Sequence, residues 1–514
     1  MSTTSRIVKN TGYLYAKMAI TVLVSFYTTR LVLMALGASD FGVFSVIGGS
    51  IAMLSFLSTS MAAATQRFMS YSQGEGNVDK QKCIFNTSII LHLVMAIIVI
   101  VMLVALKPVV FNYVLNIAND KIAIAEYLYY FMILSSSITI MSVPYDAILN
   151  AHENMLYYSI VGVAECFLKL SVALFVVEVE TNKLLWYGAL MALVSIIVAF
   201  VMGVYCHRSY DECKLRIREY FDRDTMRRMT VFAGWNLLGS SSSLVAGYGS
   251  GLVLNHYFGT KLNATNGVVG QVNGQLLAFS NTMLKAVNPV IVKSEGANER
   301  EKMFLLSFSS CKMSFFMFAF LAVPFIVECN TILKLWLVDL PPYLVLFCVF
   351  GFTQTMVEQL SIPLGTAINA VGNIKMVNIL TSCLLYLYFA FLILAYHFGF
   401  PAYTMQQLMV LVAICTLLIR VMYCYFKLDM PLGLYLKDVL LRCFVCVMIP
   451  FALSYLVKAS IAVEGVIRLA FVLLVSSLSF VVMVYKFGLT YLERMQTHLL
   501  IVGLFQRLHN KNIS

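Results

Sequence analysis

Apolar residues run along this chain in long uninterrupted stretches rather than in short alternating ones. Segments of 20 or more mostly apolar residues, separated by brief polar turns, predict helices that each cross a bilayer. Alternating stretches of about ten residues, as in barrel strands, are absent from the pattern. Fourteen spans are expected, near 10–36, 41–70, 84–112, 122–150, 155–178, 183–206, 229–258, 263–292, 302–328, 342–369, 374–398, 404–426, 436–459 and 464–487. The fourth and tenth contain Pro144 and Pro363, which are expected to bend their helices near the cytoplasmic end and to serve as hinges. The segment 207–228, with seven basic and five acidic residues and no apolar run, reads as a linker.

The pattern also repeats itself. Set 222 residues apart, Gly37, Val46, Gly48, Leu54, Ser58, Met61, Ala64, Ser72 and Gly74 recur as Gly259, Val268, Gly270, Leu276, Ser280, Met283, Ala286, Ser294 and Gly296. "PYDAILNAHEN" (144–154) returns as "PLGTAINAVGN" (363–373) with its Pro-x5-Asn-Ala-x2-Asn spacing intact. Six spans separate the copies, an even number, so the halves share one orientation and form a parallel repeat. The expected fold is therefore an all-α polytopic membrane protein. Residues 1–206 form an N-lobe and 229–427 a C-lobe, each a six-helix lobe, joined by the basic linker 207–228; two further helices and a cytoplasmic tail fill 428–514. A substrate site is expected between such lobes, near the midplane.

Composition sharpens this. The 514 residues are 60% hydrophobic and only 12% charged, with a mean hydropathy of +0.84, too apolar for a soluble core. With the N-terminus cytoplasmic, 22 basic residues fall on inner segments and six on outer ones, Lys107, Lys121, Lys183, Lys261, Lys334 and Lys458. That bias places both termini inside. It accounts for the net charge of +11 through anionic membrane lipids, with no call for nucleic acid. The twelve cysteines are scattered and read as small packing residues; neither a metal site nor a cofactor is expected.

Ionisable groups inside spans carry the functional signal, because each costs about 2.5–3.5 kcal/mol to insert. Glu165 and Lys169, four residues apart, are expected to neutralise each other. Glu126 and Asp146 lie near helix ends, and His92 reads as a hydrogen-bonded contact between helices. Arg30, Arg67, Lys285 and Lys312 form a set of cations suited to an anion such as pyrophosphate. Arg30 aligns with Gly251 and Arg67 with Pro289, so the repeat does not require these charges. For Arg67, snorkelling to the interface is the competing reading. The run "GSSSSLVAGYGSG" (239–251) lacks the Gly-Lys-Ser/Thr of a phosphate loop and suits close helix contact. "DRD" (222–224) could hold a metal-bound sugar nucleotide in a membrane glycosyltransferase or polymerase, but it also sits where Asp caps a helix.

The N-terminal run, with its "LGASDFGVFSVIGG" turn and "ATQRF" helix end, together with "ILNAHEN" after the fourth helix, resembles the polysaccharide (O-antigen-type) flippases of the multidrug/oligosaccharidyl-lipid/polysaccharide exporter superfamily. The resemblance implies a non-enzymatic, alternating-access carrier in a bacterial cytoplasmic membrane, with both termini inside. Its substrate would be an undecaprenyl-pyrophosphate-linked oligosaccharide, a repeat unit of O-antigen, lipopolysaccharide, capsule or exopolysaccharide. Glycosyltransferases and a polymerase would be its functional partners. A cationic cavity would hold the pyrophosphate, a role carried over to Arg30 and Arg67. A peptidoglycan lipid-precursor flippase and a drug/cation antiporter of the same superfamily are the alternatives.

Overall fold

The computed structural model describes residues 3–495 apart from 53, 115–121, 338–339, 462–463 and 492. Lys121, Arg507, Lys511 and most of the expected C-terminal tail lie outside the described residues. Among the described residues the chain is helical throughout, without strands. The helices are α1 Thr3–Ala52, α2 Ser55–Glu75, α3 Val78–Val109, α4 Ile122–Ala151, α5 Met155–Glu178, α6 Lys183–Ser209, α7 Ile217–Tyr220, α8 Arg223–Leu244, α9 Ser250–Phe258 and α10 Thr260–Gly296. They continue with α11 Arg300–Val327, α12 Cys329–Trp336, α13 Leu344–Gln359, α14 Ile362–Val371, α15 Lys375–His397, α16 Thr404–Leu428, α17 Leu432–Tyr435, α18 Arg442–Ser460 and α19 Val466–Met483.

Twelve helices, or thirteen with one bent pair, are long and apolar enough to cross a membrane among the described residues. The expected count was fourteen, and the difference has a simple origin. The second expected span is the bent pair Ser39–Ile51 with Ser55–Glu75, and the eighth is α10, which is long but falls outside the apolar set. Asn263, Asn266, Gln271, Asn273 and Gln275 crowd its first half. These two polar helices are copies of each other under the 222-residue offset.

The chain divides into two compact units, one of Lys9–Ser240 with Val292–Glu299, the other of Met1–Val8, Ser241–Ile291 and Arg300–Ser514. In the first unit, Ile47, Leu103, Ala125, Leu128, Tyr129 and Ala173 form a buried core. The Tyr129 hydroxyl, which could not be left bare in such a core, donates to the Leu103 carbonyl at 2.7 Å. In the second unit, Leu254, Phe318, Phe347, Phe352 and Leu392 pack together, with Phe318 edge-on to Phe352 at 6.2 Å. The serine run also lies in close contacts: Ser242 donates to Ser382 at 2.7 Å, and Gly249 leaves room for the Phe389 ring, to which a Cβ would come within 2.8 Å.

The duplication is written in the backbone as well. Gly37 (φ 72, ψ 170) breaks α1, and Gly259 (φ 79, ψ 179) separates α9 from α10 at the equivalent position. Gly76 (φ 70) ends α2 and Asn298 (φ 58) ends α10. Glu153 (φ 56) ends α4 and Gly372 (φ 95) ends α14. At Glu153 and Asn298 the closure is a full Schellman motif: Asn154 N–H donates to Leu149 O at 2.9 Å and Glu153 N–H to Asn150 O at 3.0 Å, while Glu299 donates to Ser294 O at 2.8 Å and Asn298 to Glu295 O at 3.0 Å. Left-handed residues are costly outside glycine, so their recurrence at fixed offsets marks shared ancestry better than apolar identity does.

The two prolines behave differently. α4 runs through Pro144 as one helix, whereas α13 ends at Gln359 and Pro363 occupies the first turn of the separate helix α14. There its missing N–H costs nothing, because first-turn donors have no intrahelical partner.

Candidate functional site

The end of α2 gathers the most chemistry in the first unit. α2 is rich in Ser, Thr, Ala and Gln, so its packing relies on small residues and hydrogen bonds. Arg67 is half-buried, and its guanidinium carbon stands over three rings: Phe68 at 4.6 Å, Tyr71 at 4.8 Å and Phe232 at 5.7 Å. Phe232, on α8, meets Phe68 edge-on at 6.0 Å. Glu75 and Glu295 contribute negative potential at Arg67. Such a cage holds a delocalised cation flat against aromatic faces, where it is less hydrated than in water.

Just beyond Arg67, α2 crosses the 292–299 segment at bare backbone. A Cβ on Gly74 would overlap the Lys293 carbonyl oxygen and stand 2.9 Å from its carbon. A Cβ on Gly296 would do the same to Tyr71, again 2.9 Å from the carbonyl carbon. Tyr71 and Lys293, like Gly74 and Gly296, are repeat equivalents, so the crossing is symmetric. Polar contacts surround it. Lys293 Nζ lies 3.4 Å from Glu153 Oε1, Asn10 Nδ2 donates to the Glu153 carbonyl at 2.9 Å, and Gln81 Nε2 to the Ser72 carbonyl at 3.3 Å. The "HEN" motif also holds the linker: His152 bonds Glu212 and stacks on Tyr210 at 4.2 Å, and Asn154 donates to the hydroxyls of Tyr205 at 2.8 Å and Tyr210 at 2.9 Å. Burial raises the Glu212 carboxyl most, but the bond and charge of His152 together with a backbone hydrogen bond outweigh it and hold the group below its ordinary range.

A cavity of about 400 Å³ opens beside the start of α2, lined by Ile51, Leu54, Ser58, Thr59, Thr139 and Ile140. Ser58 and Thr59 both donate to the Ser55 carbonyl and Thr139 to that of Ser135, so these three hydroxyl protons are committed to backbone acceptors.

The other sequence-selected residues are placed as follows. Arg30 is exposed on α1 in the first unit. Lys285 is half-buried on α10 in the second. Lys312 is 1% exposed on α11 and donates to Glu493 Oε2 at 2.6 Å, so it carries its own counter-ion. Lys169 Nζ lies 2.6 Å from Glu165 Oε1, and Lys107 Nζ 3.0 Å from Glu126 Oε2. His92 is fully buried and bonds the Ser88 carbonyl at 2.8 Å. Asp222 caps α8, accepting from Thr225 N–H at 2.8 Å and Thr225 Oγ1 at 2.6 Å, and Asp224 pairs with Arg228 on the same helix. The capping reading of "DRD" is thus the one the geometry displays.

Two charged clusters escaped the sequence reading, and a third gathers around Glu358, an ionisable residue inside an expected span. Arg468 grips Glu328 with Nε at 2.8 Å and Nη2 at 2.9 Å, both side chains almost wholly buried, and also donates to Thr331. Arg442 binds Asp438 at 3.0 Å and the carbonyls of Phe487 and Leu489 at 2.9 and 3.1 Å. At the α13–α14 break, Gln354 donates to Glu358 at 2.9 Å and Arg420 to Ser361 at 3.1 Å. Arg442 and Arg468 both fall inside expected spans, so the rule that flagged the other cations covers them too. Glu493 carries no such signal, because it lies beyond the last span.

Residues 15–175 match the MatE family model. No curated relative matches the chain in sequence. Among solved structures, a MATE in its bent conformation superposes with a TM-score of 0.72 at 12% identity, covering 82% of this chain and 95% of that one. The Vibrio cholerae transporter VcmN in its bent form gives 0.68 at 14%, covering 84% and 99%. A Pyrococcus furiosus transporter of the MOP superfamily, described as having a binding pocket of reverse polarity, gives 0.68 at 13%, covering 84% and 96%. The chain therefore has the fold of the MATE transporters and is similar in sequence to the MatE family over residues 15–175.

Proposed function

We propose that the protein is an alternating-access flippase for an anionic, lipid-linked substrate, a pyrophosphate-bearing oligosaccharide lipid of the kind its N-terminal run suggests. The observation that carries this is Arg67, a half-buried guanidinium held over three aromatic rings on the most polar stretch of the first lobe. Helices α1 and α2 add Lys17 and Arg30, against a single intramembrane carboxylate candidate, Asp40. An interior that offers cations favours an anionic headgroup. Arg30, Arg67 and Lys285 are assigned to headgroup binding; Lys312, which donates to Glu493, is left out.

Outward movement of an anion from an electrically negative cytoplasm is downhill. Two charges across about 150 mV release about 7 kcal/mol, and the sequence has no Gly-x4-Gly-Lys-Ser/Thr loop for ATP. The test is flipping in reconstituted vesicles under an imposed potential. Arg67→Ala and Arg30→Ala should slow transport while the protein still folds, with Arg67→Lys intermediate because it keeps charge but loses the planar fork. Transport indifferent to both arginines and to the potential would overturn the anion mechanism. A drug/cation antiporter is the second reading, favoured by Glu358, a carboxylate inside a span of the second lobe; efflux of a cationic dye abolished by Glu358→Gln would select it.

A further inference from the structure

The linker between α6 and α8 is held along its length. Residues Asp211–Cys213 make a single 3₁₀ turn in which Glu212 and Cys213 are buried, and His152 bonds Glu212. Asn86 on α3 then grips the backbone that follows. Its Nδ2 donates to the Lys214 carbonyl at 3.0 Å, and its Oδ1 accepts from the Arg216 N–H at 2.9 Å. Farther on, Lys82 stands over the Tyr220 ring at 5.5 Å, and Cys83 Sγ lies 3.7 Å from Thr225 Oγ1. The linker is therefore belted to α3 at the level of residues 82–86. The span that starts with α3 runs 35 residues, Val78–Asn112. That is about 52 Å of helix against about 30 Å of hydrocarbon. About 11 Å, or about seven residues, is left over at each end. The belt thus straddles the boundary between lipid headgroups and acyl chains.

With its backbone fixed inward, the belt leaves a particular set of side chains uncovered. Leu215, Ile217 and Phe221 are 52%, 44% and 41% exposed, three apolar side chains within seven residues. The charges around them are uneven. Each of the five acidic residues between 207 and 228 is committed within the protein. Asp211 pairs with Lys214 at 2.7 Å, Glu219 with Arg216 at 3.2 Å, Asp224 with Arg228 and Glu212 with His152, while Asp222 caps α8. Three of the seven basic residues are matched in this way. Arg208, Arg218, Arg223 and Arg227 are exposed and belong to no ion pair among the described residues.

We propose that residues 208–227 form a binding surface for acidic phospholipid. Leu215, Ile217 and Phe221 enter the top of the acyl layer, and the four arginines take lipid phosphates through their planar forks. A neutral lipid would satisfy the apolar residues alone; the unmatched arginines select an anionic headgroup. The depth of the belt favours lipid over an acidic soluble protein. The test uses the full-length protein in phosphatidylcholine nanodiscs with or without phosphatidylglycerol, carrying an environment-sensitive dansyl amino acid in place of Phe221. Nitroxide lipids labelled near the headgroup should quench the probe about twofold more than lipids labelled at the chain end. At low salt, phosphatidylglycerol should increase that quenching about twofold, an increment lost in the triple variant Arg218→Gln, Arg223→Gln, Arg227→Gln. In the unlabelled wild type, amides 215–221 should exchange about threefold more slowly when phosphatidylglycerol is present. A probe that nitroxide lipids do not reach, with exchange indifferent to phosphatidylglycerol, would overturn the proposal and turn the search to an acidic soluble partner. Quenching and exchange that are equal in the two membranes would overturn the acidic-lipid assignment. The wild-type exchange decides this even where the triple variant does not accumulate.

Discussion

A methyl group added at Gly74 should force open the crossing at the end of α2. The new Cβ would overlap the Lys293 carbonyl oxygen, 2.9 Å from the carbonyl carbon and 3.1 Å from the Ala297 nitrogen. Carbon atoms in good contact stand about 3.5–4.0 Å apart, and the carbonyl oxygen is nearer still, so the two backbones must part by about 1 Å or more. The obstacle is backbone, which has no rotamer by which to yield. Overpacking of this sort costs about 1–3 kcal/mol. Gly296→Ala meets Tyr71 in the mirror contact and should cost about the same. The double variant is the sharper test: once the first methyl has parted the backbones, the second enters a gap already made. The pair should therefore fall short of additivity by about 1 kcal/mol or more. Gly234, with nothing within 4 Å of its position for a Cβ, is the control and should tolerate Ala. The assay is thermal unfolding of detergent-purified protein followed by tryptophan fluorescence. An unchanged midpoint for Gly74→Ala, or strict additivity in the double variant, would refute a backbone-limited crossing.

Other outcomes follow from the same reasoning. Arg468→Met alone leaves Glu328 buried without its partner and should cost about 3–5 kcal/mol, whereas Arg468→Met with Glu328→Leu should recover most of it; denaturant titration in mixed micelles reads the difference. Gly372→Ala should destabilise by about 1 kcal/mol because its φ of 95 suits glycine, while Glu153→Gly should stay within about 1 kcal/mol of wild type, relief of a left-handed residue offsetting loss of the Lys293 contact; thermal midpoints compare them. Asp222→Ala should cost about 1 kcal/mol through the lost cap of α8. The bonds from Thr225 hold the Asp222 carboxyl below its ordinary range, so its contribution is present above the unfolded-state value and fades as pH falls through the lower folded value. The difference between Asp222→Ala and wild type should shrink in acid.

Much of the fold was legible because a bilayer imposes a one-dimensional code: apolar length gives spans, and Gly37, Gly76 and Gly372 give the points where the path turns. The Gly37/Gly259 and Gly74/Gly296 pairs, picked out only as identities, prove to be a backbone break and a backbone contact. The α13–α14 interruption was announced by Pro363, yet Pro144 at the aligned position stays within one helix. A proline's effect depends on whether the chain before it can still find donors, which is a tertiary matter. Lys312 shows the limit most plainly. Its sequence neighbourhood offers no acid, because the compensating carboxylate lies 181 residues later and beyond the membrane. Arg468 and Glu328, 140 residues apart, are hidden for the same reason.

The break at Gly37 has a mechanical meaning. α1 is two stiff rods joined at one residue whose φ of 72 lies where only glycine rests easily. The rod from Gly37 to Ala52 is fifteen residues, about 23 Å long. A rotation of about 10° at that single joint swings its far end by about 4 Å, most of a helical turn, without breaking a hydrogen bond in either rod. The leverage comes from where the joint sits along the helix, so an alanine there would stiffen the arm even though it would touch nothing.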